Sequence, residues 1–105
     1  MQDSSQNKIR AQVEIYTTST CPYCVRAKSL LARKGATYTE IYVGFDSEAL
    51  QRMIERAYGQ RSVPQIFIND QHMGGFDEIN ELNRRGELDA LLATPPRQPS
   101  GDSAA

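Results

Sequence analysis

Histidine and cysteine are scarce in this sequence. One histidine and two cysteines among 105 residues are too few for the four-ligand Cys/His set of a structural zinc site. Long apolar runs are also missing. No stretch approaches the roughly 18 residues a membrane span needs, which predicts a protein with no membrane partner. Charge of one sign is not in excess either: 12 basic against 13 acidic residues leave a net charge of -1. No global field therefore draws the chain to nucleic acid, and any charge effect must be local. The segment Met1 to Lys8 lacks the apolar centre of a signal peptide, which predicts a cytoplasmic location. In that reducing compartment a cysteine pair is not expected to serve as a structural staple. Proline is rationed as well: three of the five fall in the last twelve residues, leaving Pro22 and Pro64 for everything before.

The length fits one domain at about 150 residues per domain. Its 39% hydrophobic and 24% charged residues are ordinary for a soluble globular protein. Thr94 to Ala105 adds Ser100, Gly101 and Ser103 to its prolines and has no large apolar side chain, so it reads as a disordered tail. Met1 to Lys8 reads as a polar N-terminal tail. The folded unit is then Ile9 to Ala93, with room for one compact core.

Within it the apolar period changes repeatedly, and each change marks an element. Gln12 to Thr17 alternates and predicts a first strand. Pro22 to Lys34 places Cys24, Ala27, Leu30 and Leu31 at helical spacing, with proline in the first turn and Gly35 past the end. Thr37 to Val43, β-branched and aromatic, predicts a second strand. A second helix, capped by Asp46 or Ser47, carries Leu50, Met53, Ile54 and Ala57 as a core stripe. Gln65 to Ile68, the break Asn69-Asp70-Gln71 and a short run around His72 and Met73 predict a hairpin. After Gly74-Gly75, acidic Asp77, Glu78 and Glu81 favour the start of a third helix, and Leu88, Leu91 and Leu92 extend a last helical piece past Gly86. The order is β-α-β-α-β-β-α: a parallel β-α-β unit, then an antiparallel hairpin and a closing helix.

The chemical signal is Cys21-Pro22-Tyr23-Cys24 at the start of the first helix. A strand before it and a helix after it distinguish a redox pair from a zinc half-site, for which His72 is the sole further Cys or His candidate. His72 itself reads as a strand side chain with no catalytic role. A thiol at a helix N-terminus meets unpaired N–H groups and the positive end of the helix dipole, which stabilise a thiolate. Cys21 has that position. Cys24 lies one turn deeper, where burial keeps a sulfur neutral. The bland alternative is a pair of small buried hydrophobes; one of the folded unit's two prolines standing inside the motif speaks against it. Arg26, Lys28, Arg33 and Lys34, with no acid between Pro22 and Lys34, either bias the local field toward anions or simply form a solvated face.

Ser62-Val63-Pro64 precedes the third strand. The proline either just starts that strand or forms a cis bond that turns the Val63 backbone toward the cysteines, and base rates favour trans.

Cys-Pro-Tyr-Cys after a strand, Ser-Val-Pro-Gln-Ile-Phe-Ile some forty residues on, and Gly-Gly-Phe-Asp-Glu opening the next helix together resemble the glutaredoxins. The likeness is greatest to the short bacterial dithiol type, the glutaredoxin 3 group, and covers about Val13 to Leu92. It implies a thioredoxin-like α/β fold, a four-stranded mixed sheet with helices on both faces. It also implies a cis Pro64, Cys21 as nucleophile, Cys24 as resolving cysteine, and glutathione as co-substrate with no tightly bound cofactor and no metal. Tyr23 would flank the glutathione. Val63, before Pro64, would pair with its backbone like an added strand. Phe76 and Asp77 would receive its γ-glutamyl carboxylate at a helix N-terminus, the Asp77 side chain suiting its amino group.

Two positions depart from the pattern. Thr18 stands where many members carry a lysine near the thiolate and the glycine carboxylate of glutathione, which leaves Gln60 or Arg61 as substitute contacts. Phe76 stands where a third cysteine is frequent. The expected activity is reduction of disulfide-containing and glutathionylated client proteins by a monomer. The alternative is an iron-sulfur carrier in which Cys21 of two chains and two glutathiones hold one cluster; Pro22 weighs against it, since cluster-binding relatives more often have glycine or serine there. A redoxin served by thioredoxin reductase is a third reading, without the Ser-Gly-Phe-Arg-Pro segment typical of that class.

Overall fold

The structure, a computed structural model, describes residues 9–96. The tails expected at Met1 to Lys8 and, from Arg97 on, at the other end lie outside the described residues. Thr94, where the C-terminal tail was expected to begin, has an ordered role: its hydroxyl donates to the Ala90 carbonyl, and its own carbonyl accepts from the Asn69 amide, each at 2.8 Å.

Four strands form one sheet in the order β2-β1-β3-β4: β1 Val13–Thr17, β2 Thr39–Tyr42, β3 Gln65–Ile68 and β4 Gln71–Gly74. β1 runs parallel to β2 and antiparallel to β3, and β3 runs antiparallel to β4. The helices are α1 Pro22–Arg33, α2 Ser47–Arg56, α3 Phe76–Arg84 and α4 Leu88–Ala93. This is the mixed four-stranded sheet the sequence predicts. The differences are at element ends: β2 is shorter than Thr37 to Val43, and the β3-β4 turn needs only Asn69 and Asp70, freeing Gln71 for the strand. Both turn residues have positive φ (52° and 70°), the geometry of a two-residue hairpin whose twist matches its strands.

The period-two alternation of β1 and β3 divides the core between two faces. Val13, Ile15, Ile66 and Ile68 pack with Ala27, Leu30 and Leu31 of α1, Ile79 of α3 and Leu88 and Leu92 of α4. Tyr16 and Phe67 point the other way, onto Ala49 and Met53 of α2 and Ala57 at its C-cap. Arg56 fastens that second layer. Its guanidinium donates to Tyr16 Oη (2.8 Å), Glu14 Oε1 (2.7 Å) and Asp70 Oδ1 (2.8 Å), and lies 4.0 Å from the centre of the Phe67 ring.

Chain entry and exit are tied together. The Arg10 and Ala11 N–H groups both donate to the Leu92 carbonyl (2.9 and 3.0 Å), and Asn69 Oδ1 accepts from the Gln12 N–H at 2.8 Å. At the opposite end of β1 the buried Thr17 hydroxyl donates to Glu40 Oε2 (2.7 Å), which also accepts from Lys28 Nζ (2.8 Å). The β1 exit, β2 and α1 are thereby held in register where the cysteine loop begins.

Candidate active site

Cys21 is the N-cap of α1. Its backbone is extended (φ -141°, ψ 99°), and its sulfur accepts the Cys24 N–H at 3.1 Å. A sulfur therefore takes the place that a Ser or Asp oxygen usually holds at a helix start. Pro22, with no N–H to satisfy, fills the first turn. At the other end Gly35 (φ +80°) closes the helix: its N–H reaches the Ala32 carbonyl (2.9 Å) and the Ala36 N–H the Leu31 carbonyl (3.0 Å). Cys21 and Cys24 are joined as a disulfide, and Cys24 is 1% exposed whereas Cys21 is partly open. One sulfur faces out and its partner lies in the core.

The Val63-Pro64 bond is cis, the outcome the family resemblance implies and the base rate disfavours. Cys21 Sγ lies 3.7 Å from the Val63 carbonyl oxygen. The Val63 N–H enters none of the backbone hydrogen bonds among the described residues.

A cavity of about 330 Å³ opens beside this pair. Six residues singled out in the sequence line it: Tyr23, Gln60, Val63, Pro64, Phe76 and Asp77. Thr18 and Arg61 are not among its lining residues. Tyr23 and Phe76 form an aromatic rim with ring centres 6.4 Å apart, and the Arg26 guanidinium sits 5.2 Å from the Tyr23 ring centre. Arg26 is thus the member of the basic set stationed at the site. Lys28 and Lys34 are engaged by Glu40 (2.8 Å) and Asp89 (3.0 Å).

Ser62, Gln65, Gly75 and Glu78 also line the cavity, and sequence reasoning passed over them. Gly75 is the N-cap of α3, and its N–H donates to Glu78 Oε1 at 2.8 Å. This is half of a capping box; with no side chain on Gly75, the other half is missing. The N–H groups of the first turn, from Phe76 to Glu78, are left open. The Gly75–Glu78 spacing was the available signal. A side chain at Gly75 would bring its Cβ to 3.2 Å from the Pro64 carbonyl, and one at Gly74 (φ +104°) would meet Glu78 at 2.8 Å. A larger cleft of about 430 Å³, between Met73 and Leu82, continues along α3 away from the thiols.

A disulfide at a helix N-terminus, the Val63 carbonyl 3.7 Å from its outer sulfur and a cavity ending on a second helix N-terminus describe a thiol-disulfide exchange site. The Glutaredoxin family model matches residues 13–73, more than half of the chain. The chain belongs to the glutaredoxin family. It is 56% identical over 88 residues to a probable glutaredoxin of Synechocystis sp. strain PCC 6803, covering 84% of this chain and 81% of that protein. It is 50% identical over 82 residues to glutaredoxin 3 of Escherichia coli K12, covering 78% and 98%. Among solved structures it resembles the glutaredoxin of Brucella melitensis (TM-score 0.72, 47% identity, 83% of this chain and 92% of that one). It also resembles a buckwheat glutaredoxin in complex with glutathione (TM-score 0.69, 33% identity, 85% and 84%). The fold is thioredoxin-like, and this glutaredoxin is a thiol-disulfide oxidoreductase whose redox pair is Cys21 and Cys24.

Proposed function

We propose that the protein is a glutathione-dependent reductase of protein disulfides and protein-glutathione mixed disulfides. The carrying observation is the Val63 N–H, without a backbone partner among the described residues, on the residue whose carbonyl lies 3.7 Å from Cys21 Sγ. A peptide-like ligand can add its own backbone there as a short strand and so bring its sulfur to Cys21. Glutathione has that backbone, and its γ-glutamyl carboxylate suits the open N–H groups of α3, with Asp77 for its amino group. Tyr23 and Phe76 flank it. Gln60 is the better-placed contact for the glycine carboxylate, Arg61 being exposed beyond the lining; Thr18 offers a hydroxyl where a lysine would offer charge.

The exchange balances in two steps. The Cys21 thiolate attacks the glutathione sulfur of a mixed disulfide, forming a Cys21-glutathione disulfide and releasing the client thiolate. A glutathione thiolate then attacks that glutathione's sulfur, leaving oxidised glutathione and the Cys21 thiolate. With a protein disulfide, the Cys21 thiolate attacks one client sulfur and frees the other as a thiolate; Cys24 then attacks Cys21 Sγ to expel the client's remaining sulfur, and two glutathiones reduce the resulting Cys21-Cys24 disulfide, leaving as oxidised glutathione. The reading includes no tightly bound cofactor, a monomeric state and a cytoplasmic location; no helix among the described residues is long and apolar enough to cross a membrane.

The test is reduction of a glutathionylated peptide coupled to glutathione reductase, with an absorption spectrum of the freshly expressed protein. Saturable turnover without visible absorption is expected. No turnover, or a visible chromophore bound between two chains, overturns this reading in favour of a cluster carrier.

A further inference from the structure

Gln65 is 1% exposed, and a buried amide left unpaired is costly. Here every polar atom of that amide is used. Nε2 donates to the Ser62 carbonyl (3.0 Å) and to Gln60 Oε1 (3.2 Å), with Ser62 Oγ at 3.4 Å. Three oxygens around one end of the amide identify that end as nitrogen, so the other end is the acceptor. It accepts from His72 Nε2 at 2.6 Å, which fixes the proton on that ring nitrogen. His72 is flanked in turn by two tilted aromatic rings, with ring centres 5.2 Å from Phe67 and 5.7 Å from Tyr58. Burial holds the imidazole below its ordinary pKa, against the opposing charge of Glu78.

The chain His72-Gln65-Ser62/Gln60 therefore runs from the outer strand β4, through the core, into the segment that forms one wall of the cavity and delivers Val63 to Cys21. We propose that Gln65 and His72 are positioning residues that set the Gln60–Val63 segment for docking glutathione. Neither touches the reacting sulfurs. The inference deepens the functional reading above and rests on it. Removing the His72 donor leaves Gln65 Oε1 buried without a partner, so the amide turns to seek one and releases Ser62 and Gln60.

Two variants separate this from a purely structural role. His72→Phe keeps a ring and loses the donor; His72→Gln puts an amide N–H near the position of Nε2. With a glutathionylated peptide, His72→Phe is expected to raise KM by about fivefold to tenfold, the size of one lost buried hydrogen bond, with kcat within about twofold. Alkylation of Cys21 by iodoacetamide, which needs no docking, is expected to stay at the wild-type rate, and His72→Gln to return KM close to wild type. A folded His72→Phe with unchanged KM overturns the proposal, as does His72→Gln failing to recover it. Amide exchange of the wild-type Gln65 side chain decides the matter without any substitution. Both protons are expected to exchange at least about a hundredfold more slowly than in a free glutamine, and solvent-like exchange overturns the proposal. Absence of wild-type turnover would instead sink the functional reading, and amide exchange would still decide whether the chain of hydrogen bonds holds the segment.

Discussion

The backbone N–H of Cys24 points at Cys21 Sγ, 3.1 Å away, and closes the first turn of α1 on a sulfur. This contact makes the two cysteines unequal. In the proposed reaction the same N–H would face a Cys21 thiolate, and a charged acceptor roughly doubles the strength of such a bond. Cys24 is enclosed by the core, and no such N–H contact reaches its sulfur among the described residues.

Cys21→Ser is expected to abolish reduction of every disulfide substrate. Cys24→Ser is expected to keep turnover of glutathionylated peptide, which needs one protein thiol and free glutathione, while losing reduction of a protein disulfide. In the reduced wild type, Cys21 should be the thiol alkylated first at neutral pH. The reverse pattern, with Cys24→Ser dead on glutathionylated peptide and Cys21→Ser active, would exchange their roles.

Thr18→Lys is expected to lower KM for glutathionylated peptide by no more than roughly fivefold, since an exposed charge contact contributes about 0.2 to 1 kcal/mol, and the gain should shrink as salt rises. Gln60→Ala should raise KM more than kcat falls, and by more than Arg61→Ala does. A tenfold gain in Thr18→Lys with no effect of either alanine would show that the glycine carboxylate has no anchor in the natural protein.

Arg56→Ala removes three side-chain hydrogen bonds and a ring contact that join α2, β1, β3 and the hairpin turn. The combined loss is expected to be about 2 kcal/mol, lowering Tm by roughly 10 °C in a domain of this size. Arg56→Lys keeps the charge without the planar fork and should recover less than half of that. A change below 2 °C in the alanine variant would refute the clamp.

Acid should weaken the oxidised protein in two stages. His72 is held below its ordinary value by burial, so as pH falls through about 6.5 the unfolded chain takes up a proton that the folded one refuses, and stability drops toward the lower folded pKa. Glu40 is lowered from 4.5 by hydrogen bonds from Lys28 and Thr17, so a second loss begins near that pH and ends below the folded value. Urea midpoints between pH 8 and 3 should show both steps, with His72→Gln removing the upper and Glu40→Gln the lower. An upper step that persists in His72→Gln would assign it to another group.

Local pattern carried the elements because each is written in adjacent residues: Pro22 and Gly35 bracket α1, and Asn69-Asp70 turns the hairpin. The redox pair was legible for the same reason, being a helix start. What escaped notice depends on partners far along the chain. The partners of Gln65, His72 and Ser62, and the Glu14 partner of Arg56 are brought to them only by the fold. Thr18 and Arg61 lie outside the cavity lining, although Gln60 and Val63, on either side of Arg61, belong to it; adjacency in sequence does not aim a side chain. The basic run on α1 left two readings open, and the acids that answer Lys28 and Lys34 come from β2 and α4, far along the chain.

Leu92 receives the N–H groups of Arg10 and Ala11, and Asn69 bridges Gln12 and Thr94. The ends of the fold thus share one pole, and β1 carries the chain roughly 17 Å from it toward the thiols, at about 3.3 Å per residue. Polypeptide that continues from Ile9 or Pro96 therefore departs from the fold on the side away from Cys21. A tethered partner that is to exchange electrons with Cys21 must double back along the sheet, which takes at least about five or six residues of extended linker. Tether length, rather than intrinsic reactivity, would then set whether such a fusion works as a self-contained redox relay.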